Sequence, residues 1–487
     1  MRTRRRVVPA VLALVLTVLF TAVAGTAGPA VFIPIDLGTL GGFSSDARAI
    51  NASGQVVGSL WDSNGGAHAF SWTAAGGMVD LGTLGGRRDG AAEAVNASGQ
   101  VVGSARTAGD AERHAFSWTA AGGMVDLGTF GGSASFAYAV NASGQVVGES
   151  YTAGGATHAF SWTAGGGMVD LGSLGDSSSA YAVNDSGQVV GGSYTADVIT
   201  HAFSWTAAGG MVDLGTLGGD SSFAYAVNAS GQVVGFGETA GGTGHAFSWT
   251  AAGGMIDLGP LGGGVSFAFA VNDRGQVVGS VGTAVDAERH AFSWTAAGGM
   301  VDLGTLGGDG SFALAVNASG QVVGFSETPD GVTHAFSWTA AGGMVDLGTL
   351  GGGASFASAV NDRGQVVGFS DTADGFQRAV LWQPIANLGC KASLARCNLK
   401  GANLAGAYLN GADLSGSNLK GANLARSTLT GANLKGATLV GADLTNANLT
   451  GASLAKADVK GVVWSNTLCP DGTNSDANGH TCKGHLR

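Results

Sequence analysis

Charge is scarce in this chain. Only 12% of its 487 residues are Asp, Glu, Lys or Arg, and the acids outnumber the bases 34 to 23. Four of those bases, Arg2, Arg4, Arg5 and Arg6, sit at the extreme N-terminus, so the remainder is more acidic than the formal net charge of −11. Such a surface repels phosphate, which excludes nucleic acid as an expected partner. Proline is rare too, with 7 residues and no Gly-X-Y period, so collagen is excluded. Few charges together with 45% hydrophobic residues also exclude a charge-rich disordered chain. No capping box precedes an apolar run of helical period, so helices are not expected. No Gly-x-Ser-x-Gly and no unique carboxylate pair stands out, and catalysis needs one asymmetric constellation.

Long apolar runs are missing except at the start, from Val7 into Ala24. Arginines before it, and Ala22-Val23-Ala24 and Gly25-Thr26-Ala27 after it, read as a secretory leader over residues 1–27. An uncleaved anchor is the rival, and Thr3 to Val8 loosely fits a twin-arginine signal. The mature chain is therefore expected outside the cell, with no membrane contact beyond the leader. Its four cysteines, Cys390, Cys397, Cys469 and Cys482, are expected in disulfides there. Three pairings are open, and the local pairs close the shortest loops. No Cys-x-x-Cys spacing favours zinc.

Glycine is abundant, with 87 residues, and it is periodic. Asn-x-x-Gly followed by Gln-Val-Val-Gly begins at Asn51, Asn96, Asn141, Asn184, Asn228, Asn272, Asn317 and Asn361, at intervals of 43 to 45. Asp-Leu-Gly begins at Asp36 and recurs from Asp80 to Asp346. His-Ala-Phe-Ser-Trp begins at His68, His114, His158, His201, His245, His290 and His334, and the eighth copy is degenerate at Arg378. One unit reads as four short strands. Ser222 to Val227 turns through Asn228-Ala229-Ser230-Gly231 into Gln232 to Gly235; His245 to Trp249 and Met255 to Gly259 follow. Eight such units predict an all-β chain: a β-propeller of about eight four-stranded blades over residues 33–388, preferred to an open solenoid. Ile33-Pro34-Ile35-Asp36-Leu37-Gly38 and Pro384-Ile385-Ala386-Asn387-Leu388-Gly389 are near copies, so either end could complete the last blade. These repeats resemble the bacterial extracellular family named for the His-Ala-Phe repeat, which implies export and a scaffold and supplies no catalytic residues.

A second period follows. Leucine recurs every fifth residue from Leu394 to Leu454, usually with alanine two places before it, and Val459 ends the series. This resembles the pentapeptide-repeat family, whose fold is a right-handed quadrilateral β-helix with the small residue and the leucine inward; it is expected over 390–463. Fourteen units would make about three and a half coils, a rod roughly 17 Å long. Arg396, Lys400, Lys420, Arg426, Lys435 and Lys456 outnumber Asp413, Asp443 and Asp458, so the rod is no acidic DNA mimic. Residues 464–487 read as a disulfide-closed tail. Within it Asn474, Asp476 and Asn478 match the oxygen-ligand core of a calcium loop, but His485 stands where the closing glutamate would be. Calcium is the one cofactor this pattern raises, and a polar cap is the preferred reading.

The seven histidines could form a metal ring, yet ligands must converge and repetition in every blade favours a structural hydrogen bond. The Asp-Leu-Gly aspartates are expected on turn amides. Copies differ most in two loops, and variable loops on a rigid scaffold are where binding usually sits. The expectation is a secreted, non-enzymatic scaffold for binding or adhesion to a glycan or protein at the cell surface. The alternative is a glycan hydrolase or lyase using loop acids such as Asp110, Glu112, Asp286 and Glu288.

Overall fold

The computed structural model describes residues 31–87, 89–109, 112–262, 264–283, 288–390 and 393–486. The leader, Asp110 and Asp286 therefore lie outside the described residues. Within them the only helical elements are two 3₁₀ turns, Ile385–Leu388 and Ser475–Asn478. No helix among the described residues is long and apolar enough to cross a membrane.

Each long repeat folds into a four-stranded antiparallel blade. In blade 5 the order from the inside outward is Gly218–Val227, Val233–Thr239, Gly244–Thr250 and Gly254–Asp257. Seven blades are built this way from consecutive strands, over 44–80, 91–126, 131–170, 178–213, 218–257, 266–302 and 311–346. Blades 2 and 3 also share one hydrogen-bonded sheet, through a single parallel pairing of Ala134 with Arg113.

The eighth blade takes Gly351–Val360, Val366–Thr372 and Gln377–Pro384 from the end of the array and Phe32–Asp36 from its beginning. Asp36 pairs with Val380, as Asp80 pairs with Phe70 in blade 1. The N-terminal copy thus completes the last blade. Its C-terminal near-copy does not extend: with the outermost slot filled, Ile385–Leu388 winds into a 3₁₀ turn stopped by Gly389 at φ 79°. The ring is closed, because Val56 and Phe70 of blade 1 share one buried cluster with Val367 and Ala379 of blade 8.

Between blades the strands are apolar on both faces. Val190, Ala202 and Leu214 of blade 4 meet Ala224, Val233 and Phe247 of blade 5, and the same six-residue contact recurs around the ring. The phenylalanine of every His-Ala-Phe is fully buried there, each contributing about 2–3 kcal/mol of apolar burial.

The C-terminal repeats form a four-sided rod with 20 residues per coil. Parallel pairings join Asn398 to Asn418, Asn403 to Asn423, and so on to Asn448 with Leu468. The leucines from Leu399 to Leu454 are at most 3% exposed and stack inside it. The rod docks on the strand that closes the propeller. Asp36 donates its amide to Gly406 O at 3.0 Å, and Pro34 O accepts from the Tyr408 amide at 2.8 Å. An edge that would otherwise be free is thereby capped.

Candidate binding site at the propeller axis

The histidine and aspartate copied in seven of the eight blades face each other within the scaffold. His Nδ1 donates to the aspartate of Asp-Leu-Gly in the neighbouring strand, at 2.8 Å for His201–Asp213, His245–Asp257, His290–Asp302 and His334–Asp346. His114–Asp126 and His158–Asp170 repeat this at 2.9 and 2.7 Å, and His68 Nδ1 stands 2.9 Å from the Asp80 carboxylate without hydrogen-bond geometry. The same aspartate accepts the amide of the glycine two residues on, as Asp257 does from Gly259 at 2.7 Å. Among the described residues no group of three or more His, Cys, Asp or Glu is placed to hold a metal.

Asparagine does more than shape its turn. Asn228 Oδ1 accepts from the Ser230 and Gln232 amides, while its Nδ2 donates to Asn272 O in the next blade at 3.1 Å. Gln232 passes the network to Ser248 at 2.9 Å. The copied turn asparagine and the glutamine after it are thus engaged within the scaffold.

One column is not copied. In each innermost strand the residue three before the turn asparagine is a β-bulge: in blade 5 Ala224 pairs with Gly235 and Ala226 with Val234, leaving Tyr225 unpaired. The bulge brings Phe223 O within 1.9 Å of where a Cβ on Gly235 would lie, which is why Gln-Val-Val ends in glycine. Around the ring the bulged residues are Arg48, Glu93, Tyr138, Tyr181, Tyr225, Phe269, Leu314 and Ser358. Bulges re-aim side chains, and these line the axis. Ring centroids of Tyr138, Tyr181, Tyr225 and Phe269 follow one another at 6.1, 6.5 and 6.1 Å across four blades. On the opposite arc Arg48 is ion-paired with Glu93 and with Asp46. At the asparagine end Ile50, Val271, Val316 and Val360 from four blades line one opening of about 320 Å³.

The other end of the aromatic arc holds a cavity of about 200 Å³ between blades 3, 4 and 5, lined by Glu149, Ser179, Tyr181, Tyr194 and Phe223 among others. Ser179 donates its hydroxyl to Glu149 Oε2 at 2.5 Å. Burial first, and then the Glu149 carboxylate, hold the Tyr138 and Tyr181 phenols above the usual tyrosine range, so both remain neutral.

The sites expected from sequence are placed elsewhere. Glu112 engages His114 Nε2 at 3.2 Å, and Glu288 offers its backbone oxygen to the Thr283 amide. Cys390 is joined to Cys397 and Cys469 to Cys482. Asn474 caps the Asp476 amide, Asp476 accepts from the Asn466 amide and from His480, and Asn478 donates to Thr473. The three tail residues thus hold a turn. Variation between loops does not reveal the axial column; the eight innermost strands, aligned on their asparagines, carry its signal.

The model of the pentapeptide-repeat family matches residues 392–431 and 427–463, in eight copies. Among solved structures, a pentapeptide repeat protein from the thylakoid lumen of Arabidopsis thaliana is similar to the rod at 35% identity, covering 15% of this chain and 51% of that one, with a TM-score of 0.15. The chain thus spans about half the length of that relative. The BP39L lectin of Burkholderia pseudomallei is similar at 13% identity over 62% of this chain and 98% of its own (TM-score 0.36). A puromycin-hydrolyzing peptidase of Mycobacterium tuberculosis is similar at 11% over 66% and 56% (TM-score 0.43). No curated protein matches the chain.

Proposed function

We propose that this chain is a secreted, non-enzymatic scaffold that binds a glycan at the cell surface through the axial mouth of its propeller. The single observation that carries the reading is the bulged column, where eight near-identical blades present six different residue types, from Arg48 and Glu93 through three tyrosines and Phe269 to Leu314 and Ser358. A rigid ring whose strands repeat while its axial lining varies has the form of a binding surface on a support. Half of that lining is a continuous aromatic arc beside a carboxylate and hydroxyls, and sugars offer apolar ring faces and hydroxyls to match. Two disulfides support a place outside the cell. The resemblance of residues 33–388 to extracellular His-Ala-Phe repeat proteins points the same way. Calcium has no part in this reading, since the tail oxygens already cap amides.

Co-sedimentation of the mature protein with envelope material and insoluble polysaccharide, with released sugar assayed in the supernatant, tests it. Saturable pelleting that Tyr181→Ala weakens and that releases no sugar is the expected result. Sugar release would replace the scaffold with a hydrolase or lyase.

A further inference from the structure

The cavity between blades 3, 4 and 5 sits where a small cross-strand pair faces the phenylalanine of the next blade; the pair is small in blades 1 and 2 as well, as Asp46–Ser59 and Ala91–Ser104. The residue five before the turn asparagine pairs with the one eight after it. That pair is Phe223–Phe236, Phe312–Phe325 and Phe356–Phe369 in blades 5, 7 and 8, but Ser179–Gly192 in blade 4. A Cβ on Gly192 would already meet Thr200 Cγ2 at 3.1 Å and Phe223 Cδ1 at 3.3 Å, so anything larger fills the space. What remains is a recess of about 200 Å³, open to solvent, with aromatic side chains of Tyr181, Tyr194 and Phe223 on its walls.

Its electrostatics are one-sided. Glu149 is the only charged residue in the lining, which includes no Lys, Arg or His. The axial carboxylate Glu93 is paired with Arg48, whereas Glu149, on the second strand of blade 3, has only hydroxyls beside it, those of Ser179 and Tyr138. A half-enclosed carboxylate without a cation gains most from a ligand that brings one, and aromatic walls add attraction for the same charge. The hydroxyls of Ser177 and Thr200 in the lining suit a ring bearing hydroxyls more than a lysine side chain.

We infer that this recess takes one protonated amino-sugar residue, its ammonium against Glu149 and its ring against the aromatic wall. This rests on the glycan-binding reading and names the sugar.

The test is calorimetric titration of the mature chain with a glucosamine hexamer and with its fully N-acetylated counterpart, for wild type, Glu149→Gln and Gly192→Phe. Phenylalanine stands at the matching register in three other blades, so the second variant fills the recess with a residue that this strand position carries elsewhere in the ring. A thermal melt confirms its fold. Binding of the free-amine oligomer alone, weakened about tenfold or more by each variant, is expected. Equal binding of the acetylated oligomer, binding that both variants leave unchanged, or displacement by a lysine peptide would each overturn the assignment. Pelleting with envelope material, run beside it, separates the two levels. Wild-type pelleting without glucosamine binding removes the subsite and keeps the scaffold, and no pelleting removes both.

Discussion

Asn361 donates its side-chain amide to the backbone oxygen of Asn51 at 3.0 Å, across 310 residues of chain. It is the last of eight equivalent bonds: Asn51 to Asn96, Asn96 to Asn141, and onward through Asn317 to Asn361. Each asparagine is both turn and link, and the links form a closed circuit. Because the circuit has no end, the closing bond should count as much as any other. Asn361→Ala and Asn228→Ala are each expected to lower unfolding free energy by about 1–3 kcal/mol, from one buried carbonyl left unpaired and two turn amides uncapped. Urea unfolding of the two variants measures it. A silent Asn361 beside a costly Asn228 would mean an open array.

The closing strand is gripped from both sides, by Gln377–Pro384 within its blade and by the rod beyond it. Gly406 sits at the grip: a Cβ there would lie 2.4 Å from Asp36 O, at a φ of 74°. Gly411, one repeat later, has a φ of 65° and nothing within 4 Å of that position. Alanine at either site carries the left-handed penalty of about 1 kcal/mol. Only Gly406→Ala should also push the rod off the propeller edge. Hydrogen exchange of the Asp36 and Tyr408 amides is expected to accelerate in Gly406→Ala and to stay at the wild-type rate in Gly411→Ala. Equal rates in both would show that the rod does not hold the strand.

These two relationships mark where the sequence stops being legible. Blade content was readable because period-two strands and Asn-x-x-Gly turns are local, and the rod because leucine repeats every five residues around a four-sided coil. The pairing of Asp with His was not explicit, yet Asp-Leu-Gly and His-Ala-Phe travelling together held its signal. Register was not readable. The bulge at Tyr225 depends on how Gly218–Val227 registers against Val233–Thr239, and a near-copy at each end of the array leaves the closing strand undetermined in the sequence alone. The candidate site followed the bulge into obscurity: its residues lie in strands, where variation looks like tolerance, while attention went to loops.

The histidines offer a contrast between two readings. If His245 serves only Asp257, a pair with side chains 15% and 41% exposed, then His245→Ala should lower stability by less than about 1 kcal/mol. Asp257→Ala should do more, since it also uncaps the Gly259 amide. Neither should change pelleting. Loss of pelleting in His245→Ala, together with wild-type pelleting that a chelator removes and zinc restores, would return the histidines to a ligand role.

Acid should loosen the tail at a place the sequence marks. The Asp471 carboxylate accepts from the Thr473 hydroxyl at 2.7 Å, from the Thr473 amide at 3.0 Å and from His485 at 2.6 Å. Those bonds, the hydroxyl foremost, hold its pKa down at about 2 against an ordinary 3.8. A depressed carboxyl contributes stability that is complete above 3.8 and is lost as pH falls from there toward 2. The Thr473 amide resonance should therefore titrate with a midpoint near 2 in the wild type. In Thr473→Val the hydroxyl is gone, and the Asp471 midpoint should move back up toward 3.8, with the His485 contact released at a correspondingly higher pH. A wild-type midpoint already at 3.8 would mean that the three bonds do not act together on Asp471 in solution.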